Sequence, residues 1–378
     1  MKEKICSFVK AQPVLLIAAL AALATVPVVP PDAGYLGYCN PTVLIELFGL
    51  MAAVAGLRSA GIFDAVTGML LRRAGTVRRL GVILVLMCYF SAMLVTNDVA
   101  LLTLVPLTLL IYQGISDERS RILTIVLETA AANLGSMLTP VGNPQNLYLY
   151  DTYQLTIGTF LTTMLPLGAA GLVLLLLLTL LLPAQPCPLP QAAPAGLNRR
   201  SCVGFGILFA VCLMTVVHLL PAWGQWVCLA CAVLLPLCID RRVLARVDYA
   251  LLATFVCFFV FVGNIARVDA VRSFFSAVLT GRELLVSVLL SQIISNVPAA
   301  VMLSGFTQEG TALLMGVNLG GLGTIIASLA SLISFQFYRN AKGARTGRYL
   351  LVFTVVNFGM LLLLMAGVFV WQGGMNHA

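Results

Sequence analysis

Residues able to handle ions are concentrated at two places where the surrounding sequence is otherwise apolar. Thr96-Asn97-Asp98 interrupts one hydrophobic run and Ser295-Asn296-Val297-Pro298 interrupts another. Amides and hydroxyls bind anions and hard cations alike, and a carboxylate such as Asp98 adds a charge that only a cation, a proton or an ion pair neutralises cheaply at membrane depth. Each is followed by a second interruption. In the first half Asn133-Leu134-Gly135 runs into Thr139-Pro140-Val141-Gly142-Asn143-Pro144-Gln145-Asn146; in the second, Asn318-Leu319-Gly320-Gly321-Leu322-Gly323-Thr324 runs into Ser328. The two echo each other: a Thr follows the Asn by six positions in both (139 minus 133, 324 minus 318), and Asn143 and Asn146 fall opposite Ser328 and Ser331. Unwound backbone within a bilayer is tolerated only where it lines a cavity or binds something, so a duplicated pair of breaks reads as a secondary transporter built from internal repeats.

Composition sets the frame that must hold these residues. Of 378 residues, 60% are hydrophobic and 10% charged, and the mean hydropathy is +1.02. Such a chain is a polytopic membrane protein with no room for a soluble domain of ordinary size. A net charge of +8 would fit nucleic acid on a soluble face, but here the basic residues stand at segment ends, so no nucleic-acid partner is expected. The ten cysteines lie mostly in apolar runs; Cys228 and Cys231 form a C-x-x-C without a second pair or a nearby His, so no transition-metal site is expected. Residues 1–29 have the layout of a signal peptide without a convincing cleavage site, and are read as a retained first span.

The predicted fold is an all-α polytopic membrane protein with two inverted-topology repeats, re-entrant hairpins and broken transmembrane helices, about nine full spans plus two hairpins in all. The first repeat covers 1–182, with a hairpin at about 80–112 and a broken helix at about 121–151. A Pro/Ala-rich linker, 183–200, and one extra span, 201–220, precede the second repeat, 221–378, with its hairpin at about 283–305 and broken helix at about 311–335. The extra crossing is what inverts the second copy. Amphipathic segments at 59–73 and 266–280 are expected to lie in the membrane interface. With the N-terminus in the cytoplasm and the C-terminus outside, only Arg267, Arg272 and Arg282 of the 22 Lys and Arg residues fall outside, the asymmetry the positive-inside rule demands.

Helix ends brought to mid-membrane by hairpins and breaks offer positive poles to anions and free carbonyls to cations. Asp98 has two readings: coupling through Na⁺ or H⁺, or a structural cap at a hairpin tip. Asn133 and Asn318 are either packing amides or cation ligands. Glu128 reads as a relay or as an interhelical hydrogen-bonding group, Glu46 as a group near the outer interface and His218 as a solvated or hydrogen-bonded histidine, and no nucleophile–base constellation or Walker motif points to an enzyme.

In LVTNDVALLTLVPL, TPVGNPQN and SQIISNVPAAVML, and over about residues 41–371, the chain resembles the ion transporter superfamily. That group includes divalent anion/sodium symporters, citrate-metal carriers, arsenite pumps and sodium/proton antiporters of the NhaD kind; the wording is most similar to SLC13-like or YbiR-like bacterial anion permeases. The resemblance implies substrate contacts from Thr96, Asn97, Thr139, Gly142, Asn143, Asn146, Ser295, Asn296, Gly323, Thr324 and Ser328. It implies cation coupling through Asp98, Asn97 and Asn296, with Asn133 and Asn318 as further candidates and Na⁺ at the two tips. It further implies an elevator motion, a homodimer in a bacterial-type inner membrane, and no cofactor beyond the coupling Na⁺ or H⁺. Where that group usually has Ser-Asn-Thr, this chain has Asp98 in one tip and Val297-Pro298 in the other, so dicarboxylate recognition does not carry over. An arsenite or antimonite efflux permease, a Na⁺/H⁺ antiporter, and a non-transporting membrane scaffold remain the alternatives.

Overall fold

Prolines and polar caps start most of the helices. The computed structural model describes residues 12–71, 74–115, 117–187, 196–221 and 223–375, and these are helical apart from turns and one isolated bridge. Helix α1 (Pro13–Thr25) and helix α2 (Pro41–Ser59) both begin at proline, whose missing N–H falls where a helix has no internal acceptor. A short α3 (Ile62–Leu71) follows. Hairpin arms α4 (Val77–Val95) and α5 (Asn97–Tyr112) meet at Thr96. Helix α6 (Glu118–Ser136), capped by Asp117, is separated by an unwound loop, residues 137–143, from α7 (Pro144–Thr152), capped by Asn143. Helix α8 (Ile157–Thr179) closes this half.

Helix α9 (Arg199–Val216) leads to α10 (Gly224–Ile239) and, through a 3₁₀ turn (Arg241–Arg246), to α11 (Tyr249–Ile265). Between α11 and α12 (Asp269–Leu279) the axis turns by 102°. A second hairpin, α13 (Glu283–Ile294) and α14 (Asn296–Ser304), meets at Ser295. Then α15 (Gly310–Leu319) is separated by residues 320–328 from α16 (Leu329–Arg339), and α17 (Thr346–Met375) ends the described chain.

Among the described residues five helices (α2, α4, α8, α9, α17) are individually long and apolar enough to cross a bilayer, six if the bent α11–α12 pair counts as one. The expected nine or so spans exceed this because they included α1, α10, α11 and the two interrupted helices: α1, α7, α10, α11, α15 and α16 are each shorter than 18 residues, and α6, with 19, carries Glu118, Arg119, Arg121 and Glu128 and is too polar to count. Residues 183–187, read from composition as the start of a flexible linker, are instead pinned to the base of α4. Val77 N–H donates to Gln185 O (3.0 Å), Arg78 N–H to Pro183 O (3.0 Å) and Cys187 N–H to Gly75 O (3.3 Å). Residues 188–195 of that linker, and residues 1–11 of the retained first span, lie outside the described residues.

Packing divides the helices into two groups. Helix α1 lies against α11, and α2 lies against α9 and α10. Hairpins and broken helices form the other group, with α6 so central that every residue from Ser120 to Ser136 is buried. Within it the halves interleave: α16 packs on α5 of the first hairpin, and α7 packs on α14 of the second. These two contacts are counterparts, the signature of a local twofold relating two similar units. On a loop of the other group Asp32 receives a bidentate pair from Arg267 (3.1 and 2.8 Å), and that guanidinium holds the exposed carboxyl below the ordinary carboxylate range.

Candidate functional site

Each hairpin turns at a residue whose backbone glycine would adopt more easily. Thr96 has φ 74° and ψ 149°, and Ser295 has φ 75° and ψ 154°. This region costs a side-chain-bearing residue about 1–3 kcal/mol and persists only where surrounding contacts enforce it. Those contacts come from the broken helices: Asn97 N–H donates to Gly142 O (3.2 Å), and Asn296 N–H donates to Ala327 O (2.9 Å). Gly142 and Ala327 are counterparts, 185 positions apart (327 minus 142), as are Asn133 and Asn318 (318 minus 133). Gly142 is confined to glycine by close approach, since a Cβ there would lie 2.1 Å from Ser136 O.

The loops are then locked across the two halves. Asn133 Oδ1 accepts from Asn97 Nδ2 (3.1 Å) and from Ser328 Oγ (2.9 Å), while its Nδ2 donates to Ser331 Oγ and Gly321 O (3.3 Å each). Reciprocally, Asn318 Oδ1 accepts from Asn143 Nδ2 (3.1 Å), and Asn318 Nδ2 donates to Asn146 Oδ1 (2.6 Å). Each asparagine of one half therefore binds the pair of polar residues opened by the break in the other. Both amides are buried and engaged on their oxygen and their nitrogen.

A cavity of about 650 Å³ borders the first tip. It lies between the two helix groups: α2 and α11 supply Leu47, Leu50, Val54 and Leu251, and the hairpin and broken helix supply Thr96, Asp98, Val99, Asn143 and Leu147. Four charged residues line it, Asp98, Arg58, Arg246 and Asp248. Asp98 Oδ1 is shut off from solvent and has no hydrogen-bond partner, so this oxygen does not serve as a cap. Asp98 occupies the first turn of α5, where the helix dipole favours negative charge. Arg58 and Arg246 are exposed, with Arg58 Nη2 3.3 Å from Leu102 O.

Of the residues expected in the site, Thr96, Asp98 and Asn143 line this cavity, whereas Asn97, Thr139, Gly142 and Asn146, in the same tip and loop, do not. Thr139 Oγ1 donates to Met93 O (2.5 Å), and Asn146 Nδ2 donates to Ser136 O and Thr139 O (3.2 and 3.1 Å). Ser295, Asn296, Gly323, Thr324 and Ser328 stand outside it, gathered around the second loop. Glu128 is fully buried away from the cavity, with Thr108 Oγ1 donating to its Oε1 (2.6 Å). Glu46 is buried on α2, and His218 stacks on Tyr150 with ring centroids 5.6 Å apart. Cys228 Sγ lies 3.4 Å from Cys212 Sγ, on the neighbouring helix α9.

Three participants escaped sequence reasoning. In the sequence Arg58 and Arg246 read only as topological charges. Gln292 is absent from the expected site, although a glutamine three residues before Ser295, in an apolar helix, is itself a signal.

Comparison with known proteins agrees with this architecture. A solved structure of the YdaH transporter of Alcanivorax borkumensis aligns with a TM-score of 0.58 at 14% identity, covering 95% of this chain and 98% of that one, which establishes likeness of fold. The inner membrane protein YbiR of Escherichia coli is 34% identical over 307 residues, 79% of this chain and 80% of its own. The uncharacterized transporter MJ0456 of Methanocaldococcus jannaschii is 30% identical over 337 residues, 85% and 88% of the two chains. Residues 6–309 match the family model described as citrate transporter. With most of its length matched in this way, the chain belongs to the CitMHS citrate transporter family of membrane transporters.

Proposed function

We propose that the protein is a secondary active transporter that moves a small anion across the inner membrane coupled to Na⁺ or H⁺, with Asp98 as the coupling group. The observation that carries this reading is the unpartnered Asp98 oxygen at a strained hairpin tip, beside a cavity whose other charges include two guanidinium groups. A carboxylate in that setting is stabilised by binding a cation or proton, and its neutralisation lets an anion share the cavity with Arg58 and Arg246. Because those arginines belong to connections assigned to the cytoplasm, the cavity faces inward in this reading.

The cavity's place between the two helix groups supports an elevator motion, with α1, α2 and α9–α11 as scaffold and the hairpins and broken helices as the moving body. In proteoliposomes, flux requiring both an added anion (citrate, other carboxylates, or oxyanions) and a Na⁺ or H⁺ gradient is the expected result. Na⁺/H⁺ exchange without any added anion would make the protein an antiporter instead. Replacing both arginines, Arg58→Ala with Arg246→Ala, removes attraction for the anion without touching the tip. It should raise the half-saturating anion concentration about tenfold, with the maximal rate within about twofold of the parent.

A further inference from the structure

The second loop is filled by the protein itself. Gln292 Nε2 donates to Gly320 O (2.8 Å) and Leu322 O (3.0 Å) and lies 3.2 Å from Val288 O, while Gln292 Oε1 accepts from Thr324 N–H (2.8 Å). Gly323 makes room for it: its φ is +106°, and a Cβ there would stand 2.2 Å from Gln292 Oε1. Three carbonyl oxygens thus converge on one nitrogen that carries two hydrogens. Two of them, Gly320 O and Leu322 O, lie just beyond the C-terminal end of α15, where the helix dipole adds negative partial charge, and the third, Val288 O, comes from the turn of α13 that precedes Gln292.

The first half handles the same position differently. Met93 is the counterpart of Gln292 (292 minus 93 equals 295 minus 96), and its carbonyl accepts from Thr139 just as that of Gln292 accepts from Thr324. A thioether has no hydrogen to donate, so Met93 cannot plug its loop in this way.

A cluster of carbonyls at a helix C-terminal end is the environment that binds a desolvated alkali cation. We propose that the Gln292 carboxamide is a tethered stand-in for a monovalent cation, so that the second half carries no exchangeable ion and coupling falls to the half that contains Asp98. Only the assignment of coupling to Asp98 rests on the transport reading; the filling of the second loop does not, and its test reads stability in place of flux.

The experiment melts purified protein carrying Asp98→Asn, alone and with Gln292→Ala or Gln292→Glu, in choline, lithium, sodium and potassium chloride at matched ionic strength. The Asp98→Asn parent should melt at one temperature in every salt. Both Gln292 variants should melt lower in choline and recover by about 2 °C or more per tenfold rise in an alkali cation, Gln292→Glu most of all. Equal melting of both variants in choline and in all alkali salts overturns the proposal, as does an equal alkali response in the parent. Gln292→Glu retains the acceptor for Thr324 N–H, so it decides the matter alone if Gln292→Ala does not fold.

Discussion

Asp98→Asn should abolish cation-coupled anion uptake while the melting temperature stays within about 2 °C of the parent. At about 4 Å and an effective dielectric near 20, a carboxylate attracts a monovalent cation by about 4 kcal/mol, so its loss lowers cation affinity on the order of a thousandfold. Asparagine keeps the shape of the side chain, and Asp98 Oδ1 has no partner to lose. Uptake by reconstituted protein across Na⁺ and H⁺ gradients, with thermal unfolding in parallel, checks both parts. Retention of gradient-driven uptake would remove Asp98 from the mechanism.

The second large effect is on stability. Asn133→Leu fills a similar volume but strands Asn97 Nδ2, Ser328 Oγ, Ser331 Oγ and Gly321 O, all served by one amide. Each stranded buried group costs about 1–3 kcal/mol, so a loss of about 4 kcal/mol or more is expected. Asn318→Leu should behave alike, through Asn143 and Asn146. The pair together should cost less than the sum, because opening one lock admits water to the partners of the other. Unfolding midpoints of the two single variants and the double variant in detergent give all three values. A loss below about 1 kcal/mol in either single variant would show that the amide is not what joins the halves.

The interruptions were legible because their causes are local. Pro140 and Pro144 flanking Gly142 within five residues disfavour continuous helix locally, where single prolines at 106, 166 and 236 are accommodated inside helices, and Asn143 caps α7 through its own next turn. The arms at 62–71 and 269–279 were legible from helical spacing for the same reason. Partnership was not. That Asn133 answers Ser328 and Asn318 answers Asn143 depends on how two units superpose, which no single window of sequence contains. Arg58 and Arg246 carry a strong topological signal that masked their place beside Asp98. Gln292 is visible as an oddity, yet its target carbonyls lie 28 and 30 positions away in a loop of unguessable shape. Composition called residues 183–187 loose, whereas a backbone bridge to Thr76 holds them.

The reciprocal asparagine lock has a consequence for biosynthesis. Asn146 receives its hydrogen bond from a residue made 172 positions later. At about 5–20 residues per second, the growing chain carries that vacancy for roughly 10–30 s. Through that interval the first broken helix is inserted but incomplete, so its polar loop must be sheltered by water, lipid headgroups or the insertion machinery until the C-terminal partner emerges.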